Sequence, residues 1–251
     1  MSKVIYSDCC VEIGFPQTGL LKPCPTAAEL QAEMDWVGIE SALVHHTLMR
    51  DQSPVVGNAV LAAEIAGHPR LMGTWAILPP QTNELPPSPV LFKKMAAANV
   101  RVFWAFPEEH RYILDRLVFG SLLDEVAERR IPLFIKRSVG WPVFYNLLAQ
   151  YPSLTVVAAA HGPWGEDRYF RPLLEHFANF YLDISRYELD CGIRNLVTKY
   201  GPKRLLMGSN YPYAPMGGPR LMLAHGDIDV VARKAIASGN LHRLLRKVDL
   251  S

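Results

Sequence analysis

Short β-branched or apolar runs alternate with longer amphipathic segments along nearly the whole chain, and this alternation constrains the fold more than any single motif. The runs fall at Val4 to Tyr6, Ala42 to His46, Leu71 to Leu78, Val100 to Trp104, Leu133 to Lys136, Thr155 to Ala159, Tyr181 to Ile184 and Arg204 to Met207. Helical segments lie between them, among them one starting at Thr26, where Glu29 three residues on makes a capping box, and others over Pro54 to Ala66, Leu91 to Ala98 and Leu122 to Arg129. Strand alternating with helix implies a parallel sheet, and eight such units favour closure into a single (β/α)8 TIM barrel over residues 1–251. An open doubly wound sheet is the alternative. With 251 residues, 49% of them hydrophobic, the chain suffices for one such core.

Several function classes lose support. Lys plus Arg number 26 against 24 Asp plus Glu, with basic residues dispersed, so nucleic acid is not an expected partner. No apolar run approaches the ~20 residues that span a bilayer, and no leader-like segment opens the chain, so neither a membrane nor export is expected. Four cysteines, Cys9, Cys10, Cys24 and Cys191, lack CxxC spacing, which fits a reducing, cytoplasmic setting. The sequence contains no GxGxxG, no P-loop and no GxSxG elbow, which removes the main support for nucleotide cofactors and for a serine hydrolase.

Barrel chemistry gathers where strands end at their C-terminal face. Those ends are polar here: Asp8-Cys9-Cys10-Val11-Glu12, His45-His46, Lys136-Arg137, His161-Gly162-Pro163-Trp164, Asp183 to Arg186, and Gly208-Ser209-Asn210-Tyr211-Pro212. His45 and His46 read as packing histidines. With Gly67 to Leu71, Ile131-Pro132-Leu133, His161-Gly162, Tyr181 to Ser185, Arg204 to Pro212 and the ending Gly239-Asn240 to Leu245, the chain resembles the amidohydrolase-2 branch of the amidohydrolase superfamily. That group includes aminocarboxymuconate-semialdehyde decarboxylase-like metal-dependent hydrolases.

The resemblance implies an Asp-x-His-x-His motif after the first strand, whose histidines bind a divalent metal; this chain has Asp8, Cys10 and Glu12 there. Lys136 stands where a third histidine ligand is implied, and Asn210 where a metal-binding, proton-moving aspartate is implied; His161 keeps its histidine. A protonated lysine has three donors and no lone pair, and an asparagine cannot serve as a general base, so a metal-bound hydroxide loses its support.

Three readings stay open. In the first, Lys136 is a fixed cation in the former metal volume, with Glu12 compensating its charge and His161 and Asn210 beside it as the catalytic set. Arg137 and Arg186 would anchor an acidic substrate, and Trp164 and Tyr211 would wall it; Lys136 could also form a Schiff base. In the second, Cys10, Glu12 and His161 hold zinc or another divalent metal with water. In the third, Lys136 and Glu12 are a structural ion pair in a noncatalytic ligand-binding or regulatory barrel. The first reading implies no cofactor, a small carboxylated substrate, and hydrolysis or C–C lyase chemistry of the decarboxylase type. Apolar outer helices leave room for a homo-oligomer.

Overall fold

The structure is a computed structural model that describes residues 3–17, 19–20, 22–160 and 166–251. The expected His161 and Trp164 lie outside the described residues. Eight parallel strands run in sequence order around one sheet: β1 (Ser7–Ile13), β2 (Ser41–His46), β3 (Leu71–Ala76), β4 (Val100–Ala105), β5 (Leu133–Lys136), β6 (Val156–Ala159), β7 (Phe180–Asp183) and β8 (Leu205–Leu206). The ring closes where Cys9 N–H donates to the Met207 carbonyl (2.9 Å) and Glu12 N–H to the Tyr211 carbonyl (2.9 Å). This is the TIM barrel that the alternation predicts, not the open sheet.

Two boundaries differ from expectation. The first strand is Ser7–Ile13 rather than Val4 to Tyr6. A segment with Asp8 and Glu12 carries no clean apolar signal, yet every residue of it is buried, since the strand runs the full depth of the barrel. The second difference is a helical turn, α2 (Thr47–Asp51), between β2 and the next long helix. His46 caps it by accepting from Leu48 N–H (3.0 Å), a structural role as expected.

Helix α1 (Ala27–Val37) starts at the capping box of Thr26 and Glu29. Helix α3 (Pro54–Glu64) starts at Ser53 and packs hard on α2: a Cβ on Gly57 would stand 2.2 Å from the Met49 amide nitrogen. Only glycine permits that approach, which fixes α2 and its residue Arg50 over the barrel mouth. The side chain of Asn58 locks α3 to β3 by pairing with both backbone groups of Ala76 (2.8 and 3.0 Å). Trp104, Phe103, Phe134, Phe144 and Phe180 are fully buried in the core. All four cysteines are free thiols, and among the described residues no helix is long and apolar enough to cross a membrane.

Candidate active site

The strand ends build two tiers. The lower holds Asp8 and Asp183, both fully buried. Asp8 Oδ1 accepts from the amides of Cys10 (3.0 Å) and Ser209 (2.9 Å), while its Oδ2 has no partner among the described residues. Asp183 accepts from the Ala160 amide (3.0 Å) and from the Ser185 amide (2.9 Å) and hydroxyl (2.8 Å). Among the described residues no cation pairs with either, so burial pushes Asp8 up to about 7, with the charge of Asp183 adding and the hydrogen bonds opposing. Burial likewise raises Asp183 to about 6. Gly208 makes this tier possible, because a Cβ there would lie 2.4 Å from Asp183 Oδ1 and 3.0 Å from Cys10 Cβ.

The upper tier centres on Glu12, which is 1% exposed. Cross-strand register sets it beside His45, whose Nε2 lies 3.0 Å from Glu12 Oε2. Arg50 Nη1 donates to the same oxygen, and the Tyr213 hydroxyl donates to Oε1 (2.6 Å). Arg50 also reaches Asp51 through Nε (2.6 Å) and Nη2 (3.0 Å), and its Nη2 donates to the Tyr213 oxygen (3.0 Å). Burial would raise the Glu12 carboxyl, but the His45 hydrogen bond and the charges of Lys136 and Arg50 outweigh it and hold it at about 2. Burial, with Trp104 beside the ring (centroids 4.7 Å apart), pulls His45 below its usual range in spite of Glu12.

Above this network opens a cleft of about 320 Å³ lined by Lys136, Arg137, Ser138, Ala160, Arg186, Asn210 and Tyr213. A larger groove of about 430 Å³, between Glu188 and Asp227, contains none of the strand-end residues. Lys136, the last residue of β5, places its Nζ 5.2 Å from the Tyr213 ring centroid. Arg137 pairs with Glu166 (2.9 Å), while Arg186 is exposed at the rim. Asn210 takes a left-handed backbone (φ 56°), which its residue type tolerates, and its carbonyl closes a turn by accepting from the amides of Tyr213 (3.0 Å) and Ala214 (3.2 Å).

Of the residues singled out from the sequence, Lys136, Arg137, Arg186 and Asn210 thus share one cleft, and Glu12 reaches it through Tyr213. Cys10 and Tyr211 are buried and do not line it. The aromatic wall is Tyr213 rather than Tyr211. The expectation that Glu12 compensates Lys136 by direct pairing is corrected: its oxygens go to His45, Arg50 and Tyr213, and Lys136 acts on it only through space. Sequence reading gave His45 a packing role, saw Tyr213 only as part of a Tyr211 to Pro215 stretch that could form an aromatic wall or a lid, and missed Arg50. The register of β1 against β2 is the signal that finds His45.

A divalent ion does not fit these donors. Both oxygens of Glu12 are taken by N–H or O–H groups, one of them from the fixed positive charge of Arg50, which leaves no free carboxylate lone-pair direction facing an arriving ion. Among the described residues no three His, Cys, Asp or Glu side chains are grouped to hold one, so the set Cys10, Glu12 and His161 has only its first two members within view.

The fold has well-matched counterparts among solved structures. An uncharacterised TIM-barrel protein from Bordetella bronchiseptica is 18% identical, covering 97% of this chain and 99% of that one with a TM-score of 0.72. The 5-carboxyvanillate decarboxylase of Sphingomonas paucimobilis is 15% identical over 98% and 100%, TM-score 0.73. A dihydroxybenzoic acid decarboxylase from Polaromonas, which holds manganese and the inhibitor 2-nitroresorcinol, is 14% identical over 97% of each chain, TM-score 0.71. No curated protein sequence matches the chain. The family model described as amidohydrolase matches residues 46–247, from the last residue of β2 nearly to the C-terminus, and the chain belongs to this amidohydrolase-2 family.

Proposed function

We propose that the cleft binds a small carboxylated molecule and acts on it without a metal ion, by hydrolysis or by carbon–carbon lyase chemistry of the decarboxylase type. The observation that carries this reading is Lys136: a half-buried ammonium, with no ion pair among the described residues, in a 320 Å³ cleft shared with Arg137 and Arg186. A carboxylate is the complementary ligand, since charge-assisted hydrogen bonds in a confined site are the strong ones. The decarboxylases of the same fold support a carboxylated substrate.

In the lyase form, Arg186 anchors the substrate, while Lys136 and the Asn210 amide hold the oxygen on which charge develops. The bond to the carboxyl carbon breaks, carbon dioxide leaves, and the electron pair moves towards that oxygen. A proton then returns to the carbon, a task we assign to His161. In the hydrolytic form, the same cation stabilises the oxyanion formed when water adds to a carbonyl.

One observation favours a second reading, a noncatalytic ligand-binding barrel. Glu12, which reaches the cleft through Tyr213, is held at about 2 and is committed to three partners, so it cannot serve as a base at neutral pH. The deciding experiment titrates a panel of small aromatic and aliphatic carboxylates against the wild type and Lys136→Met, while mass spectrometry follows the ligand. Loss of Lys136 is expected to weaken binding about 10- to 100-fold, the worth of one charge-assisted hydrogen bond. Binding without consumption selects the second reading. Equal binding by both proteins would sink the Lys136-centred site altogether.

A further inference from the structure

We infer that Arg50 is the resident cation of this barrel: its guanidinium stands in for a divalent metal ion and closes the site to one. The inference concerns what fills the site, and it stands whether or not the cleft turns over a substrate.

The argument begins with convergence. Two carboxylates from different elements, Glu12 on β1 and Asp51 at the end of α2, close on the Arg50 guanidinium together with the Tyr213 phenol. Four of its five N–H bonds are used, one each from Nε and Nη1 and both from Nη2. Arg50 is only 7% exposed, and the opposed charges of Glu12 and Asp51 raise its proton affinity despite burial, so it remains charged at any working pH. A buried carboxylate, Glu12, and a partly buried one, Asp51, gathered on a single positive centre form a cradle for a cation, and here the chain supplies that cation itself.

Chemistry separates this occupant from a metal. A guanidinium presents only donors, in a planar fork, with no empty orbital for a water or a substrate oxygen. It neutralises Glu12 and orients Tyr213 without activating water, whereas a relative with the same barrel holds manganese. A positive charge already seated between Glu12 and Asp51 also repels an arriving divalent ion. Tyr213 is then fixed by two hydrogen bonds, and its ring face supports the Lys136 ammonium that lines the cleft.

The test is metal binding and melting temperature, measured on wild type, Arg50→Met and Glu12→Gln. Wild-type protein purified without chelators is expected to carry no manganese or zinc and to melt at the same temperature with or without added Mn²⁺ or Zn²⁺. Arg50→Met removes the charge at similar length and frees both carboxylates; its Tm should fall by roughly 5–15 °C and recover at least partly on adding either ion. Stoichiometric metal in the wild type that disappears in Glu12→Gln overturns the inference. So does a folded Arg50→Met whose melting ignores both ions. If Arg50→Met does not fold, Arg50→Lys decides: lysine keeps the charge but not the fork, so refusal of metal with a lowered Tm supports the inference, and an unchanged Tm overturns it.

Discussion

Asp8 and Glu12 sit four residues apart on one strand, equally buried, and differ by about five units in proton affinity, one near 7 and the other near 2. Burial penalises the charged form of both. What separates them is the kind of partner: Asp8 receives backbone amides and a like charge from Asp183, whereas Glu12 receives a guanidinium, an imidazole, a phenol and the field of an ammonium. Hydrogen bonds alone do not hold a buried carboxyl in the usual carboxylate range, and a cation at contact distance does. The barrel thus has a lower tier that takes up protons and an upper tier that stays charged.

The strongest way to break that contrast is to strip the upper tier of its anion. Glu12→Gln leaves the Arg50 guanidinium facing an amide, and unfolding in denaturant should show a loss of about 3–5 kcal/mol at neutral pH. A loss under 1 kcal/mol would mean that the network is not the tight ionic unit described.

The lower tier is tested by pH. Asp8 and Asp183 have folded values above the unfolded 3.8, so their contribution is fully favourable below about 4 and is lost as pH rises to about 7. Glu12 has the opposite sign: its contribution is present above 4.5 and lost as pH falls towards 2. Asp8→Asn keeps an acceptor for the two amides and removes the charge on the unpartnered oxygen. It should therefore be more stable than wild type at pH 8, by about 2–4 kcal/mol, and nearly equal at pH 4. Chemical denaturation at the two pH values reads this directly, and parallel curves for the two proteins would refute it.

Gly208→Ala sharpens the geometry beneath the contrast. Its Cβ would press on Asp183 Oδ1, and we expect a loss of about 1–3 kcal/mol, visible as a lowered denaturation midpoint with unchanged slope. The smallest effect belongs to Tyr213→Phe, which keeps the ring under Lys136 and deletes the hydroxyl. About 1–2 kcal/mol should be lost, and carboxylate binding in the cleft should survive, whereas Tyr213→Leu should weaken both.

The fold was legible in the sequence because its signal is repetitive: eight apolar runs set the number of strands and their parallel order, and Thr26 with Glu29 fixed one helix start. The first strand was misplaced because Asp8 and Glu12 interrupt the apolar pattern. They are tolerated inside a barrel through partners distant in sequence, 33 to 201 residues away, such as His45, Arg50, Ser209 and Tyr213. The cleft residues at strand ends, Lys136, Arg137, Arg186 and Asn210, were legible for the same topological reason, since a strand end has one direction to point. Arg50 was not, because α2 is a single short helical segment with no periodicity, and its importance comes from Glu12 across the mouth.

The Arg50 fork also changes the life history of the site. A metal centre is loaded after synthesis, competes with other proteins for its ion and can be emptied by a chelator. A guanidinium is encoded in the gene, arrives at a fixed stoichiometry and cannot dissociate, so charging this barrel mouth and folding it are a single event.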